Sequence, residues 1–170
     1  GHGSHVAGTT AAYGVTADGA TFDGDYSALP DISDWQVGPG SAPEAGIYAL
    51  KVFGDLGGST GVVVDALEWA ADPNGDGDLS DRLDIVNLSL GSDGSPADDP
   101  ENLFIDQLSR LGTLSVIASG NAGDVTDVGG SPGNARTALT VANSVGDTQT
   151  FDAVRVEAPE SLAGTYPAQN

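Results

Sequence analysis

Polar and apolar positions follow two rhythms along this chain. Short, mostly apolar runs stand at Gly46-Ile47-Tyr48-Ala49-Leu50-Lys51-Val52-Phe53, at Asp84-Ile85-Val86-Asn87-Leu88-Ser89-Leu90 and at Thr113-Leu114-Ser115-Val116-Ile117-Ala118. Such runs predict strands buried on both faces of a parallel sheet. A fourth strand is predicted over 138–143. Between the runs, the apolar spacing lengthens to that of a helix. Residues 60–71 place Val63, Leu67 and Ala70 on one face, with Val64, Ala66 and Trp69 nearby. Ser59 or Thr60 is placed to cap that helix. Residues 101–111 repeat the pattern with Leu103, Phe104, Leu108 and Leu111. Alternating strands and helices predict an α/β fold with right-handed crossovers.

Two stretches break the alternation. Residues 15–43 are rich in Gly, Asp, Ser and Pro and read as a long loop. Loops of that length are commonly functional or disordered. Near the end, Phe151-Asp152-Ala153-Val154-Arg155-Val156 reads as a new strand, followed by Pro159 and Pro167.

Composition narrows the class. A chain of 170 residues has room for one domain with a sizeable core. It has no cysteine, which excludes disulfides and thiolate metal sites and is compatible with an extracellular enzyme. No apolar run approaches the roughly 18 residues of a membrane span. Twenty-five acidic residues face five basic ones, for a net charge of -20. That balance argues against nucleic acid, whose phosphates need Lys and Arg, and against anionic membranes. It favours bound cations, solubility and tolerance of salt.

Candidate chemistry begins at the first residues. Gly1-His2-Gly3-Ser4-His5-Val6-Ala7-Gly8 holds both histidines of the chain. Histidine is the side chain suited to general-base work near neutral pH. The small residues Thr9 to Ala12 suit a helix buried in a tight core, and His5 suits a structural histidine hydrogen-bonded within it. A His-x-x-His metal site is disfavoured, because zinc-protease helices space their histidines by four with a Glu between. The third strand runs into Ala118-Ser119-Gly120-Asn121-Ala122-Gly123. The carboxyl end of a parallel strand is where α/β folds place ligand-contacting groups. An Asn amide there can donate to a developing oxyanion, or form an ordinary turn. The second strand ends in Ser89-Leu90-Gly91, an extended edge able to pair with a peptide backbone.

Together these segments resemble the subtilisin-like serine protease family. His2-Gly3-Ser4-His5-Val6-Ala7-Gly8 is similar to the family's histidine motif. In family order there follow Gly40-Ser41-Ala42-Pro43-Glu44-Ala45 with Tyr48-Ala49-Leu50-Lys51-Val52, then Leu67-Glu68-Trp69-Ala70, then Ile85 to Gly91, Ser119 to Gly123 and Ser131-Pro132-Gly133. The resemblance implies a doubly wound, mostly parallel α/β sheet with helices on both faces, here incomplete. It implies a secreted endopeptidase acting on peptide or protein substrates through an acyl-enzyme, with no organic cofactor. His2 would be the general base and Asn121 the oxyanion-hole side chain. Ser89, Leu90 and Gly91 would form one wall of the P1 pocket; Ala118, Ser119 and Gly120 would form the other. A small Gly120 implies an open, apolar pocket suited to large hydrophobic P1 side chains. The family's orienting Asp and its Gly-Thr-Ser-Met-Ala nucleophile motif do not stand in these residues, and the chain has no methionine. The expectation is a partial catalytic domain over 1–145, inactive alone. Residues 146–170 are similar to the start of an inserted protease-associated domain.

One further constellation carries chemistry. Asp72-Pro73-Asn74-Gly75-Asp76-Gly77-Asp78-Leu79-Ser80-Asp81 puts oxygen ligands at alternate positions with Gly at the sixth, which resembles a Ca²⁺ loop. Asp72, Asn74, Asp76 and Asp78 would supply oxygens. Leu83 stands where a bidentate Glu is expected, so Asp81 or Asp84 would substitute. A rival reading of the chain is therefore a non-catalytic calcium-binding or pseudo-protease module.

Overall fold

A computed structural model describes residues 1–144 and 152–168. Helix α1 spans His2–Ala11, α2 Val63–Ala71 and α3 Pro100–Leu111; strands are β1 Ile85–Leu88, β2 Leu114–Ala118, β3 Leu139–Val141, β4 Asp152–Val156 and β5 Gly164–Ala168. Strands β1, β2 and β3 form a parallel sheet in that order. The register sets Leu88 beside Ile117 and Ala118 beside Val141. Helix α3 connects β1 to β2, the crossover that a parallel pair requires. Strands β4 and β5 make a separate antiparallel hairpin. The expected start of an inserted segment at 146, and Phe151, lie outside the described residues.

The core joins helices to sheet. Val63 and Leu67 of α2 pack with Ile105 and Leu108 of α3, Leu88 and Ile117 of the sheet, and Ala135. On α2 the buried residues are Val63, Leu67 and Ala70, as the spacing predicts. On α3 the stripe is rotated from the expected one: Asn102, Ile105 and Leu108 are buried, while Leu103 is exposed. The start of α3 is well specified. Asp99 caps it by accepting from the Glu101 N–H, and Pro100 occupies the first turn, where its missing N–H is harmless. Gly112, at φ 96°, ends it in the left-handed conformation. Neither Ser59 nor Thr60 is the cap residue of α2. Val62 holds that place; Thr60 Oγ1 donates to the Val52 carbonyl and accepts from the Val62 N–H.

Three sequence expectations are corrected. Residues 46–53 form no strand among the described residues; Ile47, Tyr48 and Leu50 are exposed, and only Val52 packs on the core. An apolar run supplies β-propensity, but a strand needs a ladder of hydrogen bonds to a neighbour, and 46–53 forms none with the described strands. Helix α1 has no buried residue. Its small side chains contribute little area to bury, and the described chain meets it mainly at its end, where Gly40, Ser41 and Ala42 donate to the carbonyls of Ala12, Thr9 and Thr10. For the same reason His5 is exposed, and its side chain makes no hydrogen bond among the described residues.

The long loop 15–43 organises itself around aromatic rings. Phe22 stands edge-on to Tyr26 at 5.1 Å and packs against Trp35 at 4.9 Å. Gly14, at φ 89°, allows this: a Cβ there would lie 2.8 Å from the Trp35 ring. Backbone pairing of Val15 with Val37 closes the loop's neck. The loop is a small satellite cluster rather than a structureless excursion.

Candidate functional site

The parallel register decides where the candidate wall residues go. Because β1 and β2 run side by side in the same direction, their carboxyl ends emerge together. Ser89, Leu90 and Gly91 leave one strand, while Ser119, Gly120 and Asn121 leave the other just after Ala118. The two candidate walls thus line one end of the sheet, the position at which open α/β sheets place ligands. The Ser119 N–H donates to the Val141 carbonyl at 2.9 Å, which fixes the last turn of that wall against β3. Gly120 has φ 106°, a conformation that side-chain-bearing residues rarely adopt, and it swings Asn121 out of the strand direction. Asn121 is exposed, and its side chain makes no hydrogen bond among the described residues. Its donor is therefore not consumed by a turn.

A third segment closes this end of the sheet. The Ser92 N–H donates to the Ser131 carbonyl at 2.9 Å, and the Gly94 N–H to the Val128 carbonyl at 3.0 Å. Gly130, Ser131 and Pro132 are buried under the strand ends. The approach is close enough to demand glycine. A Cβ on Gly130 would lie 1.5 Å from the Ser92 carbonyl oxygen, and one on Gly133 would lie 2.6 Å from that of Ala118. Asp93 stands at the rim; its carboxylate oxygen is 3.3 Å from where a Gly120 Cβ would sit.

Sequence reasoning missed the side chains behind this region. Asn102, at the start of α3, is 1% exposed. Its Nδ2 donates to the carbonyls of Pro96 and Ala97 at 3.2 and 3.3 Å, and to Asn134 Oδ1 at 2.7 Å. Asn134 Nδ2 donates in turn to the Ser95 carbonyl at 2.9 Å. Ser131 Oγ donates to Glu101 Oε2 at 3.3 Å. Burial pushes the Glu101 carboxyl above its ordinary range, and the neighbouring Asp99 charge adds to this; the Ser131 bond opposes both. An Asn or Glu in the first turn of a helix ordinarily reads as a solvated or capping residue, so the pattern held no signal for burial.

His2 lies apart from these groups in its bonding. It opens α1 after Gly1 and is exposed, and no hydrogen bond or shared partner among the described residues links it to Asn121.

In the acidic loop after α2, the side chains serve the loop's own backbone. Asp72 accepts from the N–H groups of Gly75, Asp76 and Gly77 at 2.8 to 3.2 Å. Asn74 accepts from Asp76, Asp76 from Asp78, and Asp78 from Ser80. Asp81 accepts from the Asn74 N–H at 3.2 Å and closes the loop. Gly75 and Gly77, at φ 72° and 82°, make the turns. The donor chemistry, all oxygen, suits a hard cation such as Ca²⁺. As placed, no three His, Cys, Asp or Glu side chains among the described residues converge on a metal position. No helix among them is long and apolar enough to cross a membrane.

Comparison with known proteins places these features in a family. A family model described as the subtilase family, peptidase S8, matches residues 1–160. The chain is similar to pyrolysin of Pyrococcus furiosus, 32% identical over 83% of the chain and 11% of that protein. It is similar to an extracellular protease of Xanthomonas campestris pv. campestris, 32% identical over 83% of the chain and 21% of that protein. It is also similar to subtilisin Savinase of Lederbergia lenta, 39% identical over 72% of the chain and 35% of that protein. The chain thus spans between about a tenth and about a third of the length of these curated relatives.

Proposed function

The chain belongs to the subtilase family, and from that premise we propose that it is part of the catalytic domain of a secreted serine endopeptidase. The observation that carries this reading is the parallel pair β1–β2, whose adjacent carboxyl ends set Ser89–Gly91 beside Ala118–Asn121. A substrate peptide lies extended between those segments and pairs with their backbone, which holds the scissile carbonyl near Asn121. The free Asn121 amide donates to the oxygen as it becomes negative. His2 takes the proton of a serine nucleophile and returns it to the leaving amine. The acyl-enzyme then forms on that serine, which no motif within these 170 residues supplies. Secretion is supported by the similarity to an extracellular protease of Xanthomonas campestris pv. campestris. The test is hydrolysis of a chromogenic peptide by the intact natural protein and by the 170-residue chain alone. The reading expects turnover by the intact protein that a serine-directed inhibitor abolishes, and none by the isolated chain. Activity insensitive to that inhibitor refutes it.

The 72–81 loop is proposed as a Ca²⁺ site. What supports it is the all-oxygen donor set and the closed, turn-rich loop that Asp72 organises. Asp72, Asn74, Asp76, Asp78 and Asp81 would hold the ion after reorienting toward a common centre, and its role is to hold the connection from α2 to β1 rather than to take part in the chemistry. Titration calorimetry of the intact protein with Ca²⁺ tests this; equal affinity in an Asp76→Ala variant removes the loop from the account. The hairpin β4–β5 fits the start of an inserted domain in that its strands pair only with each other among the described residues.

A further inference from the structure

We propose that buried Asn102 and half-buried Asn134 form an amide pair that sets the width of the substrate cleft, and with it the selectivity of the enzyme for the side chain on the acyl side of the scissile bond. The inference rests on the protease reading above for its substrate, and on the hydrogen bonds alone for its mechanics.

The cleft is bounded by two strand ends; the first leaves the sheet pairing after Leu88, and the second is held one residue past Ala118 by the Ser119-to-Val141 bond. Past Leu88 the chain runs through Ser89–Gly91 into the 92–97 loop; past Ala118 it turns at Gly120. What relates the two is the 128–134 segment, which packs under both. It meets the first wall at Gly91, where a Cβ would lie 3.2 Å from the Ser131 carbonyl oxygen, and holds the loop just beyond through the Ser92-to-Ser131 and Gly94-to-Val128 backbone bonds. It touches the second through Gly133, seated against the Ala118 carbonyl so closely that a Cβ would lie 2.6 Å from that oxygen. Moving the 128–134 segment therefore moves the first wall relative to the second.

Two amides fix that segment. Asn134, within it, reaches to the Ser95 carbonyl at 2.9 Å. Asn102, on α3, donates to Asn134 at 2.7 Å and to the Pro96 and Ala97 carbonyls at 3.2 and 3.3 Å. The pair spans three pieces of chain that share no secondary structure: the loop after β1, the segment after β2, and the first turn of α3. Helix α3 is the rigid member, because Ile105 and Leu108 anchor it in the core. The amides thus transfer the position of the helix to the cleft. The geometry is also demanding. Asn102 Nδ2 has two hydrogens shared among three acceptors, and its buried Oδ1 has no partner among the described residues. A buried amide left short of a bond costs stability, so this side chain is retained at a loss that a purely packed core would avoid. A leucine at 102 would remove the orphaned oxygen but leave Asn134 Oδ1 and the Pro96 and Ala97 carbonyls without this donor; these bonds, rather than packing, tie the three segments together. Neither amide touches substrate; both are positioning residues.

The experiment uses the intact natural protein with Asn102→Leu, Asn134→Ala and, as a helix control outside the pair, Asp106→Ala, whose carboxylate holds Thr137 instead. Two readouts are taken. The first is hydrogen exchange at the Ser92 and Gly94 amides, expected to speed up about tenfold in both Asn variants and to stay unchanged in the control, the scale of one to two lost neutral hydrogen bonds. The second is kcat/KM on a peptide series differing only at the P1 side chain. The ratio for Phe over Ala is expected to shift about two- to tenfold in both Asn variants, through KM rather than kcat. Unchanged exchange at Ser92 and Gly94 overturns the inference, as does an unshifted P1 ratio with lowered Tm. Should Asn102→Leu fail to fold, Asn134→Ala at its half-buried site decides alone. If the wild-type protein cleaves no peptide, the protease reading falls, and exchange still decides the positioning role.

Discussion

Gly129 and Gly130 are adjacent and identical in composition, yet an added methyl group meets opposite fates at the two positions. Neither has a left-handed backbone, so conformational strain does not enter. A Cβ on Gly129 meets nothing within 4 Å. A Cβ on Gly130 would lie 1.5 Å from the Ser92 carbonyl oxygen, 2.5 Å from its carbon and 3.1 Å from the Asp93 Cα. Real Cβ atoms do not approach within 3.0 Å, so the two backbones must part by at least 1.5 Å. That displacement breaks the Ser92-to-Ser131 hydrogen bond, now 2.9 Å, and strains the Gly94-to-Val128 bond at 3.0 Å. Overpacking of this kind costs about 1–3 kcal/mol, and each lost bond adds about 1 kcal/mol. Gly130→Ala is therefore expected to destabilise by about 2–5 kcal/mol. Gly129→Ala is expected to be neutral or to gain about 0.5 kcal/mol from the stiffer unfolded chain. Urea unfolding of both variants in the same host, followed by tryptophan fluorescence, compares them directly. A difference under about 1 kcal/mol between the two would refute the close packing of the 92–94 loop on the 128–131 segment, and with it the floor of the cleft.

Other consequences follow from single groups. Ser115 Oγ is buried with no partner among the described residues, so Ser115→Ala should leave stability unchanged or raise it by up to about 1 kcal/mol, read as the urea midpoint; a clear loss means the hydroxyl has a partner. Glu101 has its pKa raised above 4.5, so the folded state holds the proton more tightly than the unfolded one. Its contribution to stability is present below 4.5 and is lost as pH rises through the folded value. Glu101→Gln should then gain on wild type progressively as pH rises past 4.5, and parallel pH profiles would contradict this. With a net charge of -20, mutual repulsion should ease with salt, so the unfolding midpoint should rise between about 0.1 and 1 M NaCl. A flat midpoint would mean that the carboxylates are already compensated.

The sheet strands were legible as short apolar runs, and 85–88, 114–118 and 139–141 all fell within the predicted segments; the burial on both faces that such runs imply is not met among the described residues, where β1 buries only Leu88 and all of β3 is exposed. The helix face of α2 was legible for the same reason of periodicity. The run 46–53 has equal β-propensity, but pairing is a property of the neighbour and not of the segment. The rotation of the α3 stripe has a specific cause. Asn102 is drawn inward by acceptors supplied from 96, 97 and 134, so a polar residue takes the place the apolar pattern assigned to a leucine. For the site, chain order was enough to bring Ser89–Gly91 beside Ala118–Asn121, because parallel neighbours must end together. The supporting amides and the glycine contacts depend on segments some thirty residues apart meeting in space, and no local pattern encodes that meeting.

The central claim is that Asn121 donates to a developing oxyanion. Its most direct measurement is kcat and KM of the intact protein with Asn121→Ala on a single peptide substrate. The account predicts a fall in kcat of about 100- to 1,000-fold, the magnitude one such donor has in subtilisin itself, with KM little changed. An unchanged kcat, or a loss confined to KM, would contradict it.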